Sequence, residues 1–302
     1  MTKRPTLVAR IAGGLGNQMF TYAAARRLAQ VNDAELALDV HNGFSRDGYG
    51  RFYQLDCFAL NARHARAGEC LQPFNRIRRK YLKRKYADRP FSYAPFIKQK
   101  GVAFDAALLE TKISRDCYFE GLWQGEGYFK DIADTIRADF ALAWQPDTAN
   151  AALAADIKER DSSVALHVRF FDAPGAAKSD NATLRYYQNA MAALEAKVAN
   201  PHYFVFSDRP QDALEMLGLA ARRVTLVTQN DKAEAAPFDM WLMRQCRHFI
   251  IANSTFSWWG AWLSDNKDKL VFAPKLNEDI GKYASWGFDG LLPDEWHQIR
   301  WG

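Results

Sequence analysis

Short apolar runs alternate with helix-period segments through the second half of the chain, between about residues 163 and 274. Runs of four or five residues rich in Val, Ile and Phe are typical of fully buried strands. The predicted strands span residues 164–168, 203–206, 224–227, 249–252 and 270–273. Because parallel strands need a long crossover, usually a helix, this alternation predicts an α/β fold with a parallel sheet covered by helices.

Two helices are predicted between these strands. Five large apolar residues recur at intervals of three or four and so share one helix face; they are Leu184, Tyr187, Met191, Leu194 and Val198. A second helix is predicted over 238–246, with Pro237 at its start.

The first half of the chain opens in the same way. A strand over 7–11, a glycine loop, an alanine-rich helix over 18–30 and a strand over 35–38 are predicted. The pattern is unclear over 42–94, and residues 144–155 are polar and alanine-rich, as expected of a connection. Two α/β domains, 1–150 and 151–302, are therefore predicted, which suits a chain of 302 residues.

The glycine loop contains Gly13, Gly14 and Gly16, followed by Asn17 and Gln18. A loop between a strand and a helix can bind an anion through backbone N–H groups. It is not a dinucleotide fingerprint, because methionine occupies position 19 where a small residue is needed, and it lacks the Lys-Ser/Thr pair of a P-loop. A tight turn without a ligand is the competing interpretation.

Polar clusters follow three of the predicted strands in the second half. The carboxyl ends of parallel strands line one crevice, so we expect these clusters to converge. Arg169 has a planar fork of donors suited to a diphosphate, although a surface ion pair explains it equally well. Ser254 is an expected helix N-cap, and the tryptophans that follow are expected in the core. The clusters are His167-Val168-Arg169, Ser207-Asp208 and Asn253-Ser254-Thr255.

Several chemistries are disfavoured by missing patterns. The sequence contains no D-x-D, H-E-x-x-H or G-x-S-x-G motif, so neither a metal site nor a serine hydrolase is predicted. Its four cysteines are scattered, which favours a reducing cytoplasm over a disulfide framework. No apolar stretch approaches the roughly 20 residues that cross a bilayer, so neither export nor a membrane span is expected.

Basic residues are concentrated in segment 74–89. It contains eight Lys or Arg and one acid, a charge of +7, whereas the whole chain carries +5 and the remainder therefore −2. A local patch of this kind does not indicate a nucleic-acid partner. Apolar residues are interleaved with the charges, so two interpretations stay open: contact with an anionic membrane at its inner face, or a solvated helix face.

Several stretches match one family in order. They are GGLGNQMF at 13–20 with Tyr22-Ala23, Trp123-Gln124 with Glu126 and Tyr128-Phe129, HVR at 167–169, FVFSD at 204–208, and 239–246 with His248 and NSTFSWW at 253–259. Together they resemble the α-1,2-fucosyltransferases of glycosyltransferase family 11.

The resemblance implies a GT-B fold of two Rossmann-like domains facing each other across a cleft. Domain 1–150 would lie on the acceptor side and domain 151–302 would bind the nucleotide sugar. The implied reaction is inverting transfer of fucose from GDP-fucose to the 2-hydroxyl of a galactose-type acceptor in a glycan or oligosaccharide. It would use no cofactor and no metal ion. A lipid-linked acceptor is one form that such a glycan takes.

The same resemblance implies roles for individual residues. Arg169 would grip the diphosphate. The catalytic base is not identified by the resemblance: Asp172 is the first candidate because it follows Arg169 closely, and the alternatives are Asp39, His41, Glu120 and Glu126. The donor-binding residues that it implies are Asn17, Gln18, Asp208, Ser254, Thr255 and Phe256. The glycine loop and the polar clusters at the strand ends add Gly14, Gly16, His167, Ser207 and Asn253 as donor-binding candidates.

The sequence departs from the family at one motif. Phe170 and Phe171 replace the second arginine and the glycine of H-x-R-R-G-D, which leaves the donor sugar and the acceptor open. A transferase for another GDP- or nucleotide-deoxysugar, a non-catalytic glycan-binding protein and a dinucleotide-dependent oxidoreductase are the alternatives.

Overall fold

The structure is a computed structural model that describes residues 4–93, 95–170, 181–219, 223–275 and 286–300. The chain forms two compact units. Unit 1 comprises Met1–Ala143 with Asp289–Leu291, and unit 2 comprises Trp144–Phe288 with Leu292–Gly302. The division follows Ala143, whereas the sequence placed a boundary at residue 150, which lies inside a helix (Thr148–Glu159).

Unit 1 contains a five-stranded parallel sheet. The two strands and the helix predicted at the start of the chain are present, and the segment with an unclear pattern, 42–94, contains one short strand and an α-helix. In chain order the elements are β1 (Thr6–Arg10), α1 (Leu15–Val31), β2 (Glu35–Asp39), β3 (Arg63–His64), α2 (Asn75–Lys85), β4 (Phe96–Lys98), β5 (Cys117–Glu120) and α3 (Ala133–Asp139). The strand order is β3-β2-β1-β5-β4.

Unit 2 contains a six-stranded parallel sheet in the order β11-β10-β9-β6-β7-β8. All five predicted strands are present. The sequence missed β11, whose side chains alternate between half-buried and exposed at the sheet edge. The elements are α4 (Thr148–Glu159), β6 (Ser163–Val168), α5 (Leu184–Glu195), β7 (His202–Ser207), α6 (Pro210–Leu217), β8 (Val224–Leu226), α7 (Ala236–Met243), β9 (His248–Ile250), α8 (Thr255–Trp262), β10 (Val271–Lys275) and β11 (His297–Arg300).

Each sheet has a point at which the direction of winding reverses. In unit 2 the reversal lies between β6 and β9, and counting strands from β6 gives the doubly wound order 3-2-1-4-5-6. In unit 1 it lies between β1 and β5. Ligands of such sheets bind beyond the carboxyl ends of these strands. Two Rossmann-like units confirm the predicted α/β class.

Aromatic packing fixes helix α8 in unit 2. Trp258, Trp259 and Trp262 are buried, and the ring centroids of Trp258 and Trp262 stack 6.0 Å apart. Gly260 lets α7 approach closely, because a Cβ there would lie 2.9 Å from the Met243 sulfur. The tryptophans are therefore core residues, as predicted, and they hold the beginning of α8 in a defined position.

Candidate active site

The central strand β6 contains a buried histidine, His167, one residue before its end. His167 Nδ1 lies 2.9 Å from Ser257 Oγ, and the Ser257 hydroxyl donates to the Ser254 carbonyl at 3.3 Å. The Nδ1 atom therefore donates, and Nε2 is left as an acceptor. Burial and the adjacent Arg169 charge lower the pKa of His167 to about 3, because both disfavour the imidazolium. The ring is neutral at physiological pH.

Arg169 reaches the beginning of α8. Its Nη1 donates to Ser254 Oγ at 3.3 Å, across 85 positions of sequence. Ser254 is the N-cap of α8, and its Oγ also accepts from Phe256 N at 3.3 Å. The clusters after β6 and β9 thus meet, as expected at the reversal point of a parallel sheet. A guanidinium, a hydroxyl and helix N–H groups lie together there, and each attracts an anion.

The residues after β7 position the chain beyond Arg169. Asp208 Oδ1 accepts from Phe170 N at 2.9 Å, and the Arg209 guanidinium lies 5.7 Å from the centre of the Phe170 ring. Ser207 Oγ accepts from Arg209 N at 3.1 Å. Phe171 and the base candidate Asp172 lie outside the described residues.

A cavity of about 460 Å³ opens within unit 2 beside these residues. Four of the donor-binding candidates line it: His167, Ser207, Asp208 and Phe256. The volume falls in the range of ordinary small-ligand pockets, roughly 300–1,000 Å³. Asn253 is half-buried at the end of β9, and its Oδ1 accepts from Ala182 N at 3.2 Å.

Sequence reasoning missed a further cavity residue, Asp239 in the first turn of α7. Removal from water raises its pKa to about 7, and a hydrogen bond from Asn230 Nδ2 at 2.8 Å opposes that rise. Asn230 is held in turn by Asn150 of α4, through amide contacts of 2.8 and 3.0 Å. In sequence, an acid two residues after Pro237 resembles an ordinary first-turn acid that stabilises a helix N-terminus. Only its burial in the structure shows that Asp239 differs from such a residue.

In unit 1 the glycine loop leads into α1, with Gly14 as its N-cap and Gly13 at a φ of +80°. Asn17 is half-buried, and its Oδ1 accepts from Gln124 Nε2 at 2.8 Å. Gly16 lies in the first turn of the helix.

Gln18 has a different position from the one expected. Its side chain is completely buried. Nε2 donates to the carbonyls of Gly13 at 2.9 Å and Phe52 at 2.8 Å, while Oε1 accepts from Gln54 N at 3.0 Å. The amide supports the loop from beneath, since both of its N–H groups are already used within unit 1.

The alternative base candidates differ in their surroundings. Asp39 is fully buried and accepts from Tyr118 Oη and from the backbone of His41 and Asn42, so it stabilises the loop after β2. Glu120, at the carboxyl end of β5, lines a cavity of about 230 Å³ in unit 1.

The remaining two candidates are His41 and Glu126. His41 is exposed, and Glu126 begins a short 3-10 turn (Glu126–Tyr128). Among the described residues, no group of three or more His, Cys, Asp or Glu is placed to hold a metal. The four cysteines are buried free thiols. In the described part of the chain, none of the helices combines the length and apolar character of a membrane span.

The two Rossmann-like units agree with the predicted GT-B fold, and in unit 2 an arginine and a helix start converge beside a cavity. The family model for glycosyl transferase family 11 matches residues 6–285. The chain belongs to glycosyl transferase family 11 and is a fucosyltransferase-like glycosyltransferase.

Two Escherichia coli proteins are similar along nearly their whole length. An α-1,2-colitosyltransferase is 28% identical over 312 residues, covering 97% of this chain and 99% of the relative. The O-antigen biosynthesis glycosyltransferase WbnK is 28% identical over 285 residues, covering 88% and 92%.

Solved structures give weaker likenesses. The α-1,6-fucosyltransferase NodZ soaked with GDP-fucose aligns with a TM-score of 0.46 at 19% identity, covering 86% of this chain and 93% of that one. The E. coli ADP-heptose heptosyltransferase II aligns with a TM-score of 0.46 at 12% identity, covering 98% and 90%.

Proposed function

We propose that the protein is an inverting α-1,2-fucosyltransferase, which moves a 6-deoxyhexose from its GDP ester to the 2-hydroxyl of a galactose-type acceptor. The observation that carries the proposal is the contact between Arg169 and Ser254 at the beginning of α8. A diphosphate leaving group needs concentrated positive potential, and a guanidinium beside a helix N-terminus supplies it. The relatives named for α-1,2-colitosyl transfer and O-antigen biosynthesis support the same reaction class.

In this mechanism the glycosidic C–O bond breaks ahead of full bonding to the acceptor, and negative charge develops on the β-phosphate of GDP. Arg169, the Ser254 and Thr255 hydroxyls and the free N–H groups of α8 stabilise that charge. They are preorganised, because Ser254 is buried and buried tryptophans anchor the helix. The proposed transfer therefore needs no metal ion.

The cavity in unit 2 suits the nucleoside. Guanine presents two adjacent donors, N1–H and the exocyclic amino group, and a carboxylate has two acceptor oxygens to match them. Asp239 lines the cavity, and its Oδ1 accepts from Asn230 Nδ2 at 2.8 Å. We assign it the recognition of guanine. His167 also lines the cavity, and its Nε2 can accept a hydrogen bond from a nucleoside hydroxyl.

The donor sugar is proposed as fucose, and another GDP-deoxysugar is the alternative. Phe170, in place of the second family arginine, contacts Arg209 and is tied to Asp208. The acceptor hydroxyl loses its proton to a base in this scheme, with Asp172 as first candidate and Glu120, at the unit 1 cavity, as second.

The test incubates the protein with GDP-fucose, GDP-colitose, GDP-mannose and UDP-galactose, each with a galactoside, in EDTA and in Mg²⁺. Release of nucleotide and the anomeric configuration of the product are measured. We expect turnover with a GDP-deoxysugar in EDTA, and a product in which the transferred sugar has the opposite anomeric configuration from the donor and is linked to the 2-hydroxyl of the galactoside.

The matched variants are Arg169→Ala and Arg223→Ala. Arg223 is another arginine of unit 2 with a side-chain partner, Glu195, but it precedes β8 and so lies at the opposite end of the strands. Loss of an oxyanion-type donor costs about 3 kcal/mol, so Arg169→Ala should lower kcat about 100-fold. Unchanged turnover in a folded Arg169→Ala protein would refute the assignment.

We also propose a cytoplasmic enzyme of polysaccharide biosynthesis, acting on a lipid-linked glycan at the inner face of the membrane. The relative named for O-antigen biosynthesis supports this. The proposal is tested by fractionating cells into soluble and membrane parts, and by offering the enzyme the same galactoside with and without a lipid carrier.

A further inference from the structure

Helix α2 in unit 1 has one face that packs against the sheet. Leu82, together with Tyr86 just beyond the helix end, packs on a cluster that includes Phe96 and Tyr118. On the same side Lys83 and Arg79 form ion pairs with Glu120, the latter at 3.4 Å. These contacts hold the helix in a fixed rotation about its axis.

The opposite face of α2 carries an exposed apolar ridge. Phe74, Ile77 and Tyr81 are 72%, 70% and 58% exposed. Their spacings of three and four residues place them in one line along the helix. Isolated exposed apolar residues are common, but three large ones in a row indicate a surface that binds something.

Basic residues flank this ridge. Arg76, Lys80 and Arg84 are exposed and follow one another at intervals of four along its side. Within the described ranges, no carboxylate forms an ion pair with any of the three, in contrast to Arg79 and Lys83 on the inner face. The outer face therefore combines exposed apolar area with uncompensated positive charge.

We propose that this outer face of α2 docks on an anionic phospholipid surface, with Phe74, Ile77 and Tyr81 entering the interface and Arg76, Lys80 and Arg84 facing the headgroups. An amphipathic helix with aromatic and aliphatic residues between basic ones lies in the plane of a membrane in this way. Eleven residues give a helix about 16 Å long, which is too short to span the bilayer and long enough to lie on it.

The charge distribution argues against two other occupants. A second copy of the chain in a symmetric contact would bring the same basic face against itself, so like charges would repel. Nucleic acid would pair with the cations but would leave the apolar ridge in water. An anionic lipid surface satisfies both features at once.

Docking would also orient unit 1. Arg79 and Lys83 link α2 to Glu120, which lines the 230 Å³ cavity at the carboxyl end of β5. A membrane held against the outer face of α2 would therefore be separated from this cavity by the helix itself, which is roughly 10 Å across. The relation between the docked helix and a lipid-linked acceptor rests on the proposed function. The docking of α2 on the membrane does not.

Vesicle flotation tests the proposal with the full chain. Vesicles of phosphatidylcholine are compared with vesicles that also contain phosphatidylglycerol, at low and at raised salt. We expect binding only to the anionic vesicles, weakening as salt rises. Equal binding to both compositions, or none to either at low salt, would overturn the proposal.

Two variants and a matched control localise the binding. The triple change Arg76→Gln, Lys80→Gln, Arg84→Gln should weaken binding about 100-fold, since each basic residue near an anionic leaflet contributes roughly fivefold. The triple change Phe74→Ser, Ile77→Ser, Tyr81→Ser should abolish the binding that survives raised salt. The control, Lys112→Gln, Lys130→Gln, Lys267→Gln, removes the same charge from exposed sites elsewhere and should bind normally.

Transfer to a water-soluble galactoside separates this proposal from the proposed function. All three variants should retain that activity, because none of the changed residues lies in either site. If the control variant bound the vesicles as weakly as the Arg76, Lys80 and Arg84 variant, binding would depend on the net charge of the protein and not on α2, and the proposal would be overturned. Sedimentation that showed a dimer dissociated by the ridge variant, without lipid binding, would identify a second copy as the occupant and would also overturn it.

Discussion

The carboxyl of Asp239 gives the sharpest prediction about the nucleotide cavity. Burial raises its pKa from an ordinary value of 3.8 to about 7. That rise corresponds to a free-energy cost of about 4 kcal/mol at most for ionising the carboxyl in the folded protein. Water that reaches the carboxylate in the cavity would lower this cost. The folded, empty protein therefore binds this proton more tightly than the unfolded chain does.

The sign of the pH effect follows from this difference. Because the pKa is higher in the folded state, the stabilising contribution is fully present below about pH 4 and is lost as the pH rises to about 7. Asp239→Asn, which has no proton to lose, should raise the free energy of unfolding at pH 8 and change it little at pH 4. Urea unfolding of both proteins at the two pH values measures the difference.

GDP binding should have the opposite preference. The carboxylate must be ionised to accept both guanine donors, so binding weakens about tenfold for each pH unit below about 7. Calorimetry of GDP and ADP, with wild type and Asp239→Asn, isolates the effect, because titration of the nucleotide phosphate is common to both proteins. The variant should lose the part of the pH dependence that comes from Asp239, and it should lose the preference for GDP over ADP. Equal GDP affinity at every pH in the two proteins would refute the assignment of Asp239.

Three further substitutions test the loops around the two sheets. Ser254→Ala removes the N-cap of α8 and the acceptor of Arg169, so it should lower the free energy of unfolding by about 1 kcal/mol and also slow transfer, as urea unfolding and initial rates would show. Gln18→Ala leaves buried backbone groups unpaired and should cost about 2 kcal/mol of stability while GDP affinity is unchanged; a large loss of affinity would return Gln18 to the binding site. Gly43→Ala would bring a Cβ to 1.8 Å from the Ile11 carbonyl oxygen, so the thermal midpoint should fall by several degrees, and an unchanged midpoint would contradict this packing.

Local patterns in the sequence determined the class of fold and much of the candidate site. Short continuous apolar runs predict strands that are buried on both faces, and apolar residues at a period of 3.6 predict a helix with one buried face, so the strands of unit 2 and helix α5 followed from them. The helix cap at Ser254 needs only the residues beside it. The meeting of Arg169 with Ser254 also followed, because parallel strands bring their carboxyl ends to one edge.

Long-range contacts decided the rest. Strand order, the edge strand β11 and the extent of the units depend on pairings between distant segments, which leave no local period. Whether a polar side chain faces a ligand or the interior depends on partners far along the chain: Asn150 and Asn230 support Asp239, and Phe52 and Gln54 enclose Gln18. The same holds for α2, whose sequence is basic throughout but whose two faces differ because one is packed against a sheet. Burial is a property of the assembled fold, and it sets the pKa, the available donors and the accessible surface that chemistry uses.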